Sequence, residues 1–219
     1  MESTLRSREE ELEASITHGM GFILSIIATY ILFKKMSHYS SDPIFITACQ
    51  MYATTLVLVY ATSTISHMYT FQKINTCLRK CDQAFIYLLI VGTATPFIAL
   101  LLVSTSTHKT SMGIYILVLL WTLAITGCLA RILLAYGGTN NVGVCLCVIL
   151  GWGEAIAMGL IWKEIDAPSL YWLISGGLFY TIGVLFLVLD LRKYHFHTIW
   201  HMFVIGGSIS HFMSIMSLI

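Results

Sequence analysis

QAFIYLLIVGTATPFIALLLVS, residues 83–104, runs its whole length without a charged side chain. About 20 such residues are what an α-helix needs to cross the hydrocarbon core of a bilayer. Six further stretches of similar length repeat the pattern, at approximately 17–35, 44–65, 111–131, 141–162, 170–189 and 199–218. The expected fold is therefore all-α: one seven-transmembrane-helix domain over 1–219, with short connections that carry nearly all the charge and little chain left for an extramembrane domain.

Composition agrees. Of 219 residues, 57% are hydrophobic and 11% charged, and the mean hydropathy is +0.81. Soluble domains carry about a quarter of their residues as charges. With three prolines and no low-complexity tract, the chain has no compositional mark of disorder. The first apolar stretch follows Glu9, Glu10, Glu11 and Glu13. It lacks the basic lead and small-residue cleavage site of a secretory signal, so it is expected to be a retained helix.

Lys and Arg distribution orients such a bundle. Arg6, Arg8, Lys73, Arg79, Lys80, Arg131, Arg192 and Lys193 fall on one side, and Lys34, Lys35, Lys109 and Lys163 on the other. Eight against four predicts a cytoplasmic N-terminus. Cysteines stand at 49, 77, 81, 128, 145 and 147. Cys77 and Cys81 are four apart, but no second pair completes a four-ligand metal site, and they read as incidental thiols.

Ionisable groups in membrane helices are costly and mark candidate functional sites. Ser63 and His67 share one face of the last turn of the second helix. Asp82 stands at the start of the third. His197 and His201 are one turn apart at the start of the seventh, and His18 at the same end of the first helix can join them. Three imidazoles with an open fourth position describe a catalytic zinc site. Asp82 is then the candidate to hold or deprotonate a water, and Ser63 to orient His67 or donate to an oxyanion. The pattern alone also fits haem or another metal, or interfacial histidines that bind none.

Other polar groups read differently. His211, roughly 15 Å deeper than His201 at 1.5 Å per residue, is expected to be a hydrogen-bonded packing residue. Glu154 falls near the centre of the fifth helix and needs a partner or a wet cavity. His38, His108 and His195 read as surface residues. Gly176, Gly177 and Gly183, with Gly206, Gly207 and Ser208, offer close helix approach. Pro96 is expected to kink the third helix, which with the two glycine-rich helices would frame any internal cavity. The seventh helix lacks a retinal-type lysine, no phosphate-binding glycine loop is present, and the basic residues are too scattered for nucleic acid.

Taken in order, several elements carry a resemblance. They are Glu10-Glu11 followed by Ser15-Ile16-Thr17-His18-Gly19, Ser63 to His67, Asp82, Gly92-Thr93-Ala94-Thr95-Pro96-Phe97, the sixth-helix run Gly176 to Gly183, His197-Thr198-Ile199-Trp200-His201-Met202-Phe203-Val204, and His211-Phe212. Over essentially its full length the chain resembles the haemolysin III proteins, of the wider progestin and adipoQ receptor (PAQR) family. The resemblance implies seven helices with the N-terminus inside and zinc held by His67, His197 and His201. It also implies Asp82 beside a metal-bound water and Ser63 in the same polar cluster.

The superfamily includes alkaline ceramidases, which extends the expectation to hydrolysis of a lipid amide in a bacterial plasma (inner) membrane, with membrane lipids as partners. The alternatives are a non-enzymatic sensor, receptor or ion-homeostasis protein with structural zinc, and a haemolysin-like cytolysin. Three features depart from the family. Ala94 stands where an aromatic is usual, Glu154 where an apolar residue is usual, and the run 187–193 differs from the common lead into the seventh helix. None of these departures is expected to touch the ligands.

Overall fold

The computed structural model describes residues 8–39, 42–68, 72–103, 106–133, 141–190 and 196–219. These form seven helices: α1 (Arg8–Tyr39), α2 (Pro43–Met68), α3 (Gln72–Leu102), α4 (Thr107–Leu133), α5 (Asn141–Ile161), α6 (Ala167–Asp190) and α7 (Phe196–Ser217). A 3-10 turn, Trp162–Glu164, follows α5. All seven contain a span long and apolar enough to cross a membrane, and there is no strand among the described residues. The outward faces of α1, α4, α5 and α6 expose large apolar side chains such as Ile27, Val118, Ile156 and Leu185. So extensive an apolar surface suits lipid and not water. The chain is an integral membrane protein.

Two of the helices differ from expectation at their starts. α1 begins at Arg8 and not at 17, and α3 at Gln72 and not at 83. Both extensions are polar helical turns beyond the apolar core, which a hydropathy reading assigns to connections. Asp42 and Asp166 begin α2 and α6 by simple capping chemistry. The amides of Ile44 (2.8 Å) and Phe45 (3.3 Å) donate to Asp42 Oδ1, and the Ser169 amide donates to Asp166 Oδ2 at 3.2 Å. Each aspartate thereby satisfies otherwise unpaired first-turn donors. Within the spans, hydroxyls bond back to their own helices, as Thr54 does to Gln50 O and Thr181 to Gly177 O, both at 2.7 Å. Such back-bonds keep these exposed hydroxyls from meeting lipid unpaired.

α3 is the most enclosed helix. It packs on α2, α4 and α5; α1 packs on α2 and α7, and α6 lies along α7 while barely touching α5. α3 remains one helix through Pro96.

The α6–α7 contact is made by glycines. A Cβ on Gly176 would collide with the His211 ring, and one on Gly183 would stand 2.9 Å from both Trp200 and Phe203. His211 is buried, its Nε2 3.2 Å from Leu173 O, as expected for a packing residue. His38 and His108 are exposed, whereas His195 lies outside the described residues. All six cysteines are free thiols. One groove lies between α1, α2 and α7, and of the expected frame of α3, α6 and α7 it shares α7 alone.

Gly176→Leu therefore overpacks a fixed imidazole, an effect worth about 1–3 kcal/mol. The melting temperature in detergent should fall by roughly 2–10 °C. Gly177→Leu, which adds its side chain to open space, should leave it unchanged, and equal melting of the two variants would refute the glycine contact.

Candidate metal centre

His67, in the last turn of α2, and His197 and His201, in the first turns of α7, converge at the end of the bundle where α1 begins. The three offer ligand nitrogens that all lie within 4.8 Å of one another, a group able to hold a metal ion. Ring centres are 5.3 Å apart for His67–His201, 5.5 Å for His67–His197 and 4.4 Å for His197–His201. Two imidazoles bound at ~2 Å to one tetrahedral ion place their ring centres about 5 Å apart. The spacing fits an ion between them.

The outer nitrogens strengthen that fit. His67 Nδ1 is 2.8 Å from Glu11 Oε2, and Glu11 Oε1 accepts from Arg79 Nη2 at 2.6 Å. His197 Nδ1 is 3.2 Å from Asp190 Oδ2. His201 Nδ1 is 3.2 Å from Thr17 Oγ1, whose own proton is directed at the carbonyls of Glu13 (2.9 Å) and Ala14 (3.0 Å). Ionised carboxylates only accept, and a hydroxyl whose proton is engaged can only accept from the ring. Each imidazole is therefore assigned its proton on Nδ1, so that Nε2 carries the lone pair. His67 Nε2 is buried with no hydrogen-bond partner. Carboxylate or hydroxyl on one ring nitrogen and metal on the other is how metal-binding histidines are oriented.

Beside the imidazoles lies a second polar group. Ser66 Oγ donates to Ser63 O at 2.9 Å and to Asp82 Oδ2 at 3.3 Å. Ser63 Oγ, in a residue 1% exposed, stands next to the Asp82 carboxylate, which is itself within electrostatic reach of His67. Asp82 is not at the start of α3, as the sequence led us to expect. It lies ten residues inside the helix, because the polar lead from Gln72 is itself helical. The structure thus gathers Ser63, Asp82, His67, His197 and His201, and His18 joins them, as its place at the same end of the first helix led us to expect. The His18 ring is buried, 3.6 Å from that of His201, and neither of its nitrogens has a partner.

Sequence reasoning missed Glu11, Thr17 and Asp190. Glu11 read as part of an acidic leader. A seven-residue spacing, two helical turns, puts it on the face of His18, and that was the available signal. Asp190 belongs to the run set aside as remote from the ligands. That expectation is corrected, since its carboxylate touches His197 across the α6–α7 connection. Glu154 is buried on the inner face of α5, within electrostatic reach of Tyr180, and stands apart from the imidazole group.

Comparison with known proteins matches residues 6–212 to the family described as Haemolysin-III related. The chain is 31% identical over 208 residues to Hemolysin-3 of Bacillus cereus, covering 95% of this chain and 91% of that protein. It is 31% identical over 210 residues to a Hemolysin-3 homolog of Bacillus subtilis (strain 168), covering 95% and 93%. It is also 24% identical over 206 residues to the human monocyte to macrophage differentiation factor, covering 91% and 80%. With a family match across nearly the whole chain, and relatives at this identity and coverage, the chain belongs to the haemolysin-III-related family.

Proposed function

We propose that this protein is a membrane-embedded zinc hydrolase that cleaves a lipid amide, with its N-terminus and metal centre on the cytoplasmic side of a bacterial plasma membrane. The observation that carries the reading is the convergence of three imidazoles whose outer nitrogens meet a carboxylate or hydroxyl, while one ligand nitrogen from each lies within 4.8 Å of the others. An all-imidazole donor set at this spacing suits zinc, and three ligands in place of four are the mark of a reactive site. His67, His197 and His201 would hold the ion; when bound, it supplies Lewis acidity towards a carbonyl and an acidified water.

The remaining chemistry belongs to the chain. Asp82 is placed to accept the proton of a water as that water adds to the amide carbon. The same proton passes to the departing amine as the C–N bond breaks. The Ser63 hydroxyl, buried beside Asp82, is the candidate to donate to the oxygen on which charge develops. Glu11, Thr17 and Asp190 keep the rings in the tautomer that binds metal. The surrounding apolar helices let a substrate arrive sideways from the bilayer. The eight-to-four excess of Lys and Arg supports the orientation.

A structural role for the ion has one observation in its favour. The Arg79–Glu11–His67 chain links α3, α1 and α2, so the site also ties helices together.

Purified protein should carry about one zinc per chain by elemental analysis. His67→Ala, His197→Ala and His201→Ala should each abolish it, and full zinc content in all three would sink the assignment. Glu11→Gln and Asp190→Asn should weaken retention against a chelator about 10–100-fold each, and unchanged retention would remove them from the site.

Asp82→Asn should keep its zinc but lose hydrolysis of a fluorescent ceramide-like amide by about 10²–10⁴-fold. Turnover surviving that change would exclude Asp82 as the base. A wild type that binds zinc, cleaves no lipid amide and melts lower on chelation would decide for the structural role.

A further inference from the structure

His18 is the one imidazole of the cluster with neither ring nitrogen engaged. It is 5% exposed, and both nitrogens are shielded from solvent without a partner. A buried polar group left in this way costs about 1–3 kcal/mol, so it is kept where something else completes it. That something is not the metal. The His18 ring centre is 3.6 Å from that of His201, tilted by 31°, and 6.4 Å from that of His67. Neither separation suits a second ligand on one tetrahedral ion, for which ~5 Å is needed. His18 is stacked on a ligand, with its hydrogen-bonding edges still to be filled.

What fills them is indicated by where the seam leads. His18, Gly21, Ser25 and Ala28 follow one another at three- and four-residue steps along the inner face of α1. His67, Ser63, Tyr60 and Leu56 do the same on α2, and His201, Ile205, Ser208 and Phe212 on α7. Beyond the histidines these stripes line a groove of about 50 Å³ whose walls are apolar throughout. Its two serines are already satisfied. Ser25 Oγ donates to Phe22 O at 2.7 Å, and Ser208 Oγ receives Tyr60 (2.9 Å) and bonds Tyr180 (2.8 Å).

Tyr60 joins the groove to the site, with its ring 5.4 Å from that of His18. Gly21 makes room for that tyrosine, since a Cβ there would strike the ring. At the rim, Leu24 and Ile209 are 45% and 49% exposed to the lipid side. The groove follows α1 from Gly21 to Ala28 and α7 from Ile205 to Phe212, about 10 Å at 1.5 Å per residue, which seats part of an acyl chain and leaves the rest to the bilayer. One end of the seam therefore carries an imidazole with both ring nitrogens unfilled, His18, and the rest accepts only hydrocarbon.

We propose that His18 is the anchor for the carbonyl of a single-chain lipid amide drawn from the bilayer, whose acyl tail lies in the groove between α1, α2 and α7. The imidazole N–H donates to the carbonyl oxygen and holds the amide beside the three-histidine centre. This rests on the lipid-amide reading above, and it adds the recognition residue and the access route. His18 acts here as a positioning residue, distinct from the metal ligands and from Asp82.

The test is binding, which does not depend on turnover. Zinc-loaded full-length protein in nanodiscs is photolabelled with a sixteen-carbon N-acyl amide carrying a mid-chain diazirine, and the labelled peptides are mapped. Label is expected on α1, α2 and α7, near Leu24, Leu56 and Ile209. His18→Leu should lower labelling about tenfold, the worth of one hydrogen bond, at unchanged zinc content, and His18→Gln should restore part of it. Ala28→Trp, at the open half of the groove, should block the long-chain probe while sparing the zinc, and it serves if the His18 variants do not fold. Label confined to α5 and α6, labelling unchanged in both His18→Leu and Ala28→Trp, or loss of zinc in His18→Leu would each overturn the proposal. Labelling as expected without any hydrolysis would leave the binding site standing and remove the hydrolase reading instead.

Discussion

Three imidazoles converging inside a lipid-embedded bundle are the constraint on which the rest of the site depends. Hydrocarbon offers them no water, so each must find a partner within the protein or receive one from outside. The protein satisfies the outer edges with Glu11, Asp190 and Thr17 and leaves the inner edges converging. The outer contacts do two things at once. They fix the tautomer, and they fix the rotation of each ring about its own bonds, so the ligand set is formed before any ion arrives. The neighbouring helices are arranged around that requirement: α1 starts early enough to bring Glu11 to His67, and α3 starts early enough to bring Arg79 to Glu11.

The same economy of polar groups explains the bundle below the site. Hydroxyls are spent on their own helices, His211 on a carbonyl of α6, and Tyr60 and Tyr180 on a shared Ser208. Where α6 meets α7, glycine replaces side-chain volume, and a large ring on one helix fills the space left by the other. These are packing devices with no chemistry of their own, but they set the depth and direction of α7, and with it His197 and His201.

Much of this was legible in the sequence because the bilayer imposes a crude and unmistakable signal. Apolar runs gave all seven helices, and i,i+4 spacing gave the Ser63–His67 and His197–His201 faces. The missed features share one physical cause. Glu11, Arg79 and Asp190 lie where helix continues past the hydrocarbon boundary, so hydropathy discards them as connections while the backbone hydrogen bonding carries on. Asp82 was found but misplaced by the same error. Thr17 was quoted only as one letter of a motif. Its role depends on which way its proton points, a property of the local helical turn that spacing does not encode.

The division of labour between the helices has a consequence for how the molecule is made. Glu11, Thr17 and His18 lie on α1, and His67 on α2, but two of the three ligands lie on α7, and Asp190 closes α6. α6 and α7 pack chiefly on each other, and α7 reaches the earlier helices mainly through α1. During synthesis from the N-terminus, a single imidazole and its braces wait in the membrane until the final hairpin is threaded beside them. Assembly of the three-histidine group is then the first event that depends on both ends of the chain at once. In that sense the centre is a clasp: it records that every preceding span was inserted in the correct direction, because a bundle missing or inverting one of them presents its two halves on opposite sides of the bilayer.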